Sequence, residues 1–90
     1  MMTIEQVKAA RLFLHMDQRQ LAELSGVSLP TIQRIENPQF GPTRSSVKIV
    51  TAVKEALERA GIEFLPMTDD AGEGVRLKAR GEGPRLASRQ

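Results

Sequence analysis

Between positions 18 and 44 the chain gathers side chains suited to binding rather than to bond making. Gln18, Ser28, Thr31, Gln33, Arg34, Asn37 and Arg44 offer amide, hydroxyl and guanidinium donors, with Leu29 and Pro30 as apolar neighbours. There is no Cys and a single histidine, His15, which argues against thiol chemistry and against a zinc site. Asp69-Asp70 are adjacent carboxylates in a glycine-containing stretch and read as a solvated turn. Gly72-x-Gly74 and Gly81-x-Gly83 lack the third glycine and the strand-to-helix setting of a nucleotide loop. No catalytic residue, metal or cofactor is expected, and the chain reads as a non-enzyme.

Whether these donors act together depends on the elements that carry them. Asp17 can cap a helix over 18–25, Gly26 supplies the left-handed residue that ends it, and Ser28 caps the next helix, 29–36. Pro30 then falls in a first turn, where a missing N–H is tolerated. Ala22 lets the second helix approach closely, and Leu21, Val27, Ile32 and Ile35 are expected to bury the inner faces. Two short helices around a glycine-centred turn make a helix-turn-helix. Leu29, Pro30, Thr31, Gln33 and Arg34 are left on the outer face of the second, as polar or short groups suited to a DNA groove.

Flanking segments must support that pair. Thr3 and Gln6 stand at capping-box spacing, and Ile4, Val7, Ala10/Arg11 and Leu14 recur at three- and four-residue intervals, predicting a helix over 4–14. His15 at its end would place a cation beside the helix C-terminus. After the turn-rich Asn37-Pro38-Gln39-Phe40-Gly41-Pro42, under which Phe40 is expected to pack, the stripe Val47, Val50, Val53/Lys54, Leu57 and Ala60 predicts a longer helix over 45–60. Ile62-Glu63-Phe64-Leu65 and Val75-Arg76-Leu77-Lys78 predict a small antiparallel hairpin. A local repeat closes the chain: Gly72-Glu73-Gly74-Val75-Arg76-Leu77-Lys78-Ala79-Arg80 is followed by Gly81-Glu82-Gly83-Pro84-Arg85-Leu86-Ala87-Ser88-Arg89, identical at six of nine positions. Pro84 stands in the place of Val75, so the second copy is expected to lose a ladder hydrogen bond and to remain unpaired.

The pattern Gln18-x-x-Leu21-Ala22-x-x-x-Gly26-Val27-Ser28-x-Pro30-Thr31-Ile32-x-Arg34-x-Glu36 resembles the Cro and phage-repressor type of helix-turn-helix, the xenobiotic-response-element family, and the likeness extends over about residues 4–60. The Gly-Ile-Glu-Phe run at 61–64 followed by Gly-Val-Arg-Leu at 74–77 is similar to a group of small bacterial regulators of that family. Two departures stand out: a connection at 37–44 slightly longer than usual, and the 81–90 extension. The resemblance implies a mainly α fold, a four- or five-helix repressor-like domain with a C-terminal β-hairpin and a flexible basic tail. It also implies a regulator that binds palindromic duplex DNA as a homodimer, with the helix at 29–36 in the major groove. Carried over by position, Leu29, Pro30, Thr31, Gln33 and Arg34 would lie near base edges, and Gln18, Ser28, Asn37 and Arg44 would meet phosphates. Chemistry agrees for most of these: helix N–H groups beside Gln18 favour an anion, Arg34 has the donor fork that reads guanine O6 and N7, and the side chains of Leu29 and Pro30, which cannot donate, suit apolar contact with thymine methyl groups. Arg11 and Glu36 match positions that pair within the fold, which implies a partly buried ion pair. Taken singly, Gln18, Thr31, Gln33 and Arg34 are ordinary helix surface; the combined motif is what makes them a DNA-contacting set.

Ninety residues suffice for one modest core, which buries ~60–65% of the surface an unfolded chain of this size exposes. The net charge is +2 and the pI about 9.5, too mild to argue for nucleic acid alone. Its distribution is uneven: residues 1–65 are nearly balanced, whereas Arg76, Lys78, Arg80, Arg85 and Arg89 face only Glu82 over 75–90. That basic end either adds phosphate contacts or keeps the chain in solution. No apolar run approaches the ~18–20 residues that span a bilayer, and no basic-then-apolar leader opens the chain, so a soluble, cytoplasmic protein without membrane contact is expected. The expected division is a helix-turn-helix domain at 1–61, a hairpin at 62–80 that dimerises through Ile62, Phe64, Val75 and Leu77, and a disordered tail at 81–90. Expected partners are double-stranded DNA and a second copy of the chain. In an antitoxin-type alternative the C-terminal segment also holds a partner protein, and in a third reading the fold is an interaction module that does not use DNA.

Overall fold

The computed structural model describes residues 2–78, with the exception of the Arg44 side chain. In chain order these form α1 (Ile4–Phe13), α2 (Gln18–Ser25), α3 (Leu29–Ile35), a 3-10 turn at Pro42–Arg44, α4 (Val47–Arg59), β1 (Ile62–Leu65) and β2 (Gly74–Leu77). Side-chain caps decide where the helices start. Thr3 and Gln6 form a reciprocal capping box at α1, Asp17 and Gln20 form another at α2, and Ser28 and Ser46 accept the Thr31 and Ile49 N–H groups at α3 and α4. Because Ser46 is the cap, α4 begins at Val47 rather than at Ser45.

Helix ends are equally local. Gly26 ends α2 at φ 75°, a left-handed conformation that costs an L residue with a Cβ about 1–2 kcal/mol. At the end of α1 the same conformation falls on His15, at φ 53°. The Met16 N–H donates to Arg11 O at 2.9 Å and the His15 N–H to Leu12 O at 3.1 Å, which is the Schellman pattern with a histidine where glycine is usual. His15 therefore serves as the chain-reversing residue after the helix, a role that rests on its backbone and not on its charge.

The core draws Val7 and Ala10 from α1, Leu21 from α2, Ile32 and Ile35 from α3, Val50, Val53 and Leu57 from α4, and Ile62 from β1, with Met2 closing it at the N-terminal end. Fully burying each large aliphatic group contributes about 1.5–3 kcal/mol. The stripe expected on α4 is buried along its middle, at Val50, Val53 and Leu57, with Ala56 beside it, but not at its ends: Val47 is 74% exposed and Ala60 is also exposed. Val47 occupies the first turn, where the helix has not yet come over the core.

The strands pair antiparallel in the register Ile62↔Leu77, Glu63↔Arg76, Phe64↔Val75 and Leu65↔Gly74. Strand alternation then puts Ile62, Phe64, Val75 and Leu77 on one face and the Glu63–Arg76 pair on the other. Ile62 is wholly buried, and Phe64 and Val75 pack against the same core. The buried Gln6 amide donates to Gly74 O at 3.0 Å and to Leu65 O at 3.4 Å, joining α1 to both strands. The boundary expected at residue 61 thus runs through a continuous core.

Candidate DNA-binding surface

One carboxylate organises the helix-turn-helix. Arg11 donates from Nε to Glu36 Oε2 and from Nη2 to Glu36 Oε1, both at 2.8 Å, in a forked ion pair whose side chains are 16% and 2% exposed. Arg11 Nη1 donates to Met16 O at 3.0 Å, and Gln18 Nε2 donates to Glu36 Oε1 at 3.1 Å. Three segments meet at this point: the last turn of α1, the first residue of α2 and the residue that ends α3. The Glu36 hydrogen bond raises the Arg11 guanidinium pKa above its ordinary value, outweighing the lowering by burial, so the cation persists across the accessible pH range. The result is a fixed relation between the α2 N-terminus and the α3 C-terminus.

Two of the four residues carried over as phosphate contacts stand at this knot. Gln18 is half-buried, with one amide hydrogen committed to Glu36 and its carbonyl not so used. Asn37 follows Glu36 directly and is exposed. Its Oδ1 accepts the Gln39 N–H at 2.9 Å and its main-chain carbonyl accepts from Phe40 and Gly41, so Asn37 builds the turn after α3 and keeps its NH2 group as a donor. Ser28 is more occupied: its hydroxyl accepts the Thr31 N–H at 3.3 Å and donates to Thr31 Oγ1 at 2.8 Å. Arg44 sits at the end of the 3-10 turn.

On α3 the inner residues Ile32 and Ile35 are buried, while Pro30, Gln33 and Arg34 are exposed and Leu29 and Thr31 half-exposed. Accepting from Ser28 leaves the Thr31 hydroxyl hydrogen available to an outside acceptor. Arg34 takes part in no salt bridge among the described residues. The face therefore combines short apolar groups near the helix start with an amide and a guanidinium toward its end, the donor and methyl-contact chemistry that base edges in a major groove complement.

Among the four residues expected at a dimer contact, Ile62 does not fit that role. Ile62 is 0% exposed within this chain's own core, so it has no surface to offer a second subunit. Phe64 is half-buried beneath Lys54, whose Nζ lies 5.7 Å from the ring centroid. Of the four, Leu77 is the exposed one, at 49%. Phe40 is 40% exposed rather than tucked beneath its loop. Gln6 and Met2 escaped sequence reasoning: the capping-box spacing marks Gln6 as a helix-start residue, but no local signal shows that its amide also serves carbonyls almost sixty and seventy residues away. Arg80, Arg85 and Arg89, and the second copy of the repeat, lie outside the described residues.

Among the described residues no helix is long and apolar enough to cross a membrane, and no group of three or more His, Cys, Asp or Glu side chains is placed to hold a metal ion. A search of curated proteins finds no match. A family model described as helix-turn-helix matches residues 7–52, from the first core residue of α1 into the second turn of α4, so that it contains α2, α3 and both members of the Arg11–Glu36 pair. The chain belongs to the Cro/C1-type helix-turn-helix family, the xenobiotic-response-element-like group of DNA-binding transcriptional regulators.

Proposed function

We propose that this protein binds a palindromic operator as a homodimer, with α3 of each subunit in the major groove. The observation that carries this reading is the placement of α3. Its exposed face presents Pro30, Gln33 and Arg34, and the Glu36 knot holds Gln18 and Asn37 beside its far end, where phosphates border a groove. In this arrangement Arg34 and Gln33 read bases, Leu29 and Pro30 contact thymine methyl groups, and Gln18, Asn37 and Ser28 meet phosphates; the Arg44 side chain lies outside the described residues. One seven-residue helix reads few base pairs, so two copies about one helical turn apart, ~34–36 Å, give the site its length. Leu77, with the outer parts of Phe64 and Val75, is the surface assigned to the subunit contact.

Selection of bound duplexes from a random library, followed by anisotropy titrations at several salt concentrations, tests the proposal. Two subunits each making ~3–5 phosphate contacts should give a slope of log K against log salt of about −5 to −9, on a site with two-fold symmetry. A salt-independent affinity, or no duplex enriched over the library, would remove DNA from the account. A symmetric site bound by a single chain would remove the homodimer alone.

A further inference from the structure

Where Met2 closes the core, the surface carries a hollow of about 290 Å3, bordered by α1, α4, β1 and the connection from β1 to β2. No residue of α2 or α3 lines it, so it is separate from the DNA-binding face. Much of its wall is apolar: the half-buried Phe64 and Leu65, Pro66, and Met67, which is 64% exposed, stand around the buried Met2. The volume lies near the lower end of the ~300–1,000 Å3 range of small-molecule sites. At about 30 Å3 for a water-sized group, it holds about ten non-hydrogen atoms.

Two opposite charges border this hollow and do not meet. Lys54 reaches over from α4 with its Nζ 5.7 Å from the Phe64 ring centroid, a cation–π distance that keeps the ammonium at the wall. Glu73, the residue before β2, is exposed and lines the same space. Neither forms a salt bridge among the described residues, so ammonium and carboxylate lie more than 4.0 Å apart. The remaining polar side chain, Gln6, is committed within the chain: its Oε1 accepts the Thr3 N–H at 2.9 Å, and its Nε2 donates to Gly74 O and Leu65 O. An occupant that complements the hollow therefore carries an anion for Lys54, a cation for Glu73 and an apolar body. An apolar acid without the cation brings a like charge toward Glu73, and an apolar amine without the anion brings one toward Lys54.

We propose that this hollow binds a free α-amino acid with a large apolar side chain, its carboxylate on Lys54, its ammonium on Glu73 and its side chain against Phe64 and Met67. Leucine, methionine and phenylalanine, at about nine to twelve non-hydrogen atoms, suit the volume. A residue inside a peptide chain has neither terminal charge, so the two groups together select the free amino acid.

Heteronuclear NMR titration of the full chain with L-phenylalanine, without DNA, tests the assignment. Shifts should saturate with a midpoint below about 5 mM and centre on Lys54, Phe64, Met67 and Glu73. The probes 3-phenylpropanoate, which lacks the ammonium, and 2-phenylethylammonium, which lacks the carboxylate, should each bind at least tenfold more weakly. Lys54→Gln should abolish the preference over 2-phenylethylammonium, and Glu73→Gln the preference over 3-phenylpropanoate. Lys48→Gln, on α4 but outside the hollow, should keep both preferences. Circular dichroism of the three variants should match the parent, since all three side chains lie at the surface or its margin. A higher midpoint, equal affinity for the three probes, or preferences that survive both substitutions would overturn the proposal. With no DNA present and no residue of α2 or α3 involved, such a failure leaves the operator reading to its own test.

Discussion

Removing the Arg11 guanidinium tests the knot that positions the reading helix. Glu36 is 3% exposed as a residue and accepts three side-chain hydrogen bonds, two from Arg11 and one from Gln18. In Arg11→Ala the carboxylate stays buried with the Gln18 amide as its remaining donor, and Met16 O also loses its partner. Breaking a buried pair from one side costs about 3–5 kcal/mol, a large share of the ~5–15 kcal/mol that holds a small domain together. At roughly 4–8 °C per kcal/mol for a chain of this size, the melting temperature should fall by about 12–40 °C. Urea unfolding followed by circular dichroism measures the free energy directly. The double variant Arg11→Met, Glu36→Leu should recover at least ~2 kcal/mol of the loss, because an apolar pair of similar volume leaves no buried charge. A loss below ~1 kcal/mol with additive singles would mean the pair behaves as a surface bridge. An unchanged midpoint with weakened DNA affinity would instead assign Arg11 to the phosphates.

Four further outcomes follow from particular contacts. Arg34→Ala should cost ~1–3 kcal/mol of operator affinity and relax preference at one base pair of each half-site, while Gln18→Ala weakens all duplexes alike, as a panel of single-base operator variants will show. Gln6→Ala should destabilise by ~1–3 kcal/mol and speed amide exchange in β1 and β2, since two strand carbonyls lose their donor; unchanged exchange would detach the hairpin from α1. His15→Gly should raise stability by ~0.5–1 kcal/mol in thermal melts, because the left-handed position then carries no Cβ. The Arg76 hydrogen bond lowers the exposed Glu63 carboxyl pKa, so the contribution of this pair is complete above the ordinary carboxylate value and fades as pH falls through the lower folded one. Carboxyl-carbon NMR should find the Glu63 midpoint higher in Arg76→Ala, and an unmoved midpoint would separate the two side chains in solution.

Local chemistry along the chain determined most of the framework. Thr3, Asp17 and Ser28 mark helix starts because a short side-chain oxygen satisfies orphan N–H groups within three residues, and Gly26 marks a helix end because its left-handed backbone excludes most other residues. Those effects act within one turn, so α2 and α3 and the turn between them were readable from spacing alone, and the exposed α3 face with them. Position in the assembled core is another matter. The α4 stripe identified the amphipathic helix and the middle of its buried face, Val50, Val53 and Leu57, but not where along the helix that face begins and ends: the tertiary packing left Val47 and Ala60 outside and brought Ala56 in. Ile62, Phe64, Val75 and Leu77 looked like a face for a partner because alternation shows that residues share a side, not what covers it; α1 and α4 cover most of it. The Gln6 bonds to β1 and β2 and the convergence of Arg11, Gln18 and Glu36 depend on segments far apart in sequence brought within 3.5 Å, a geometry that exists only once the helices have packed.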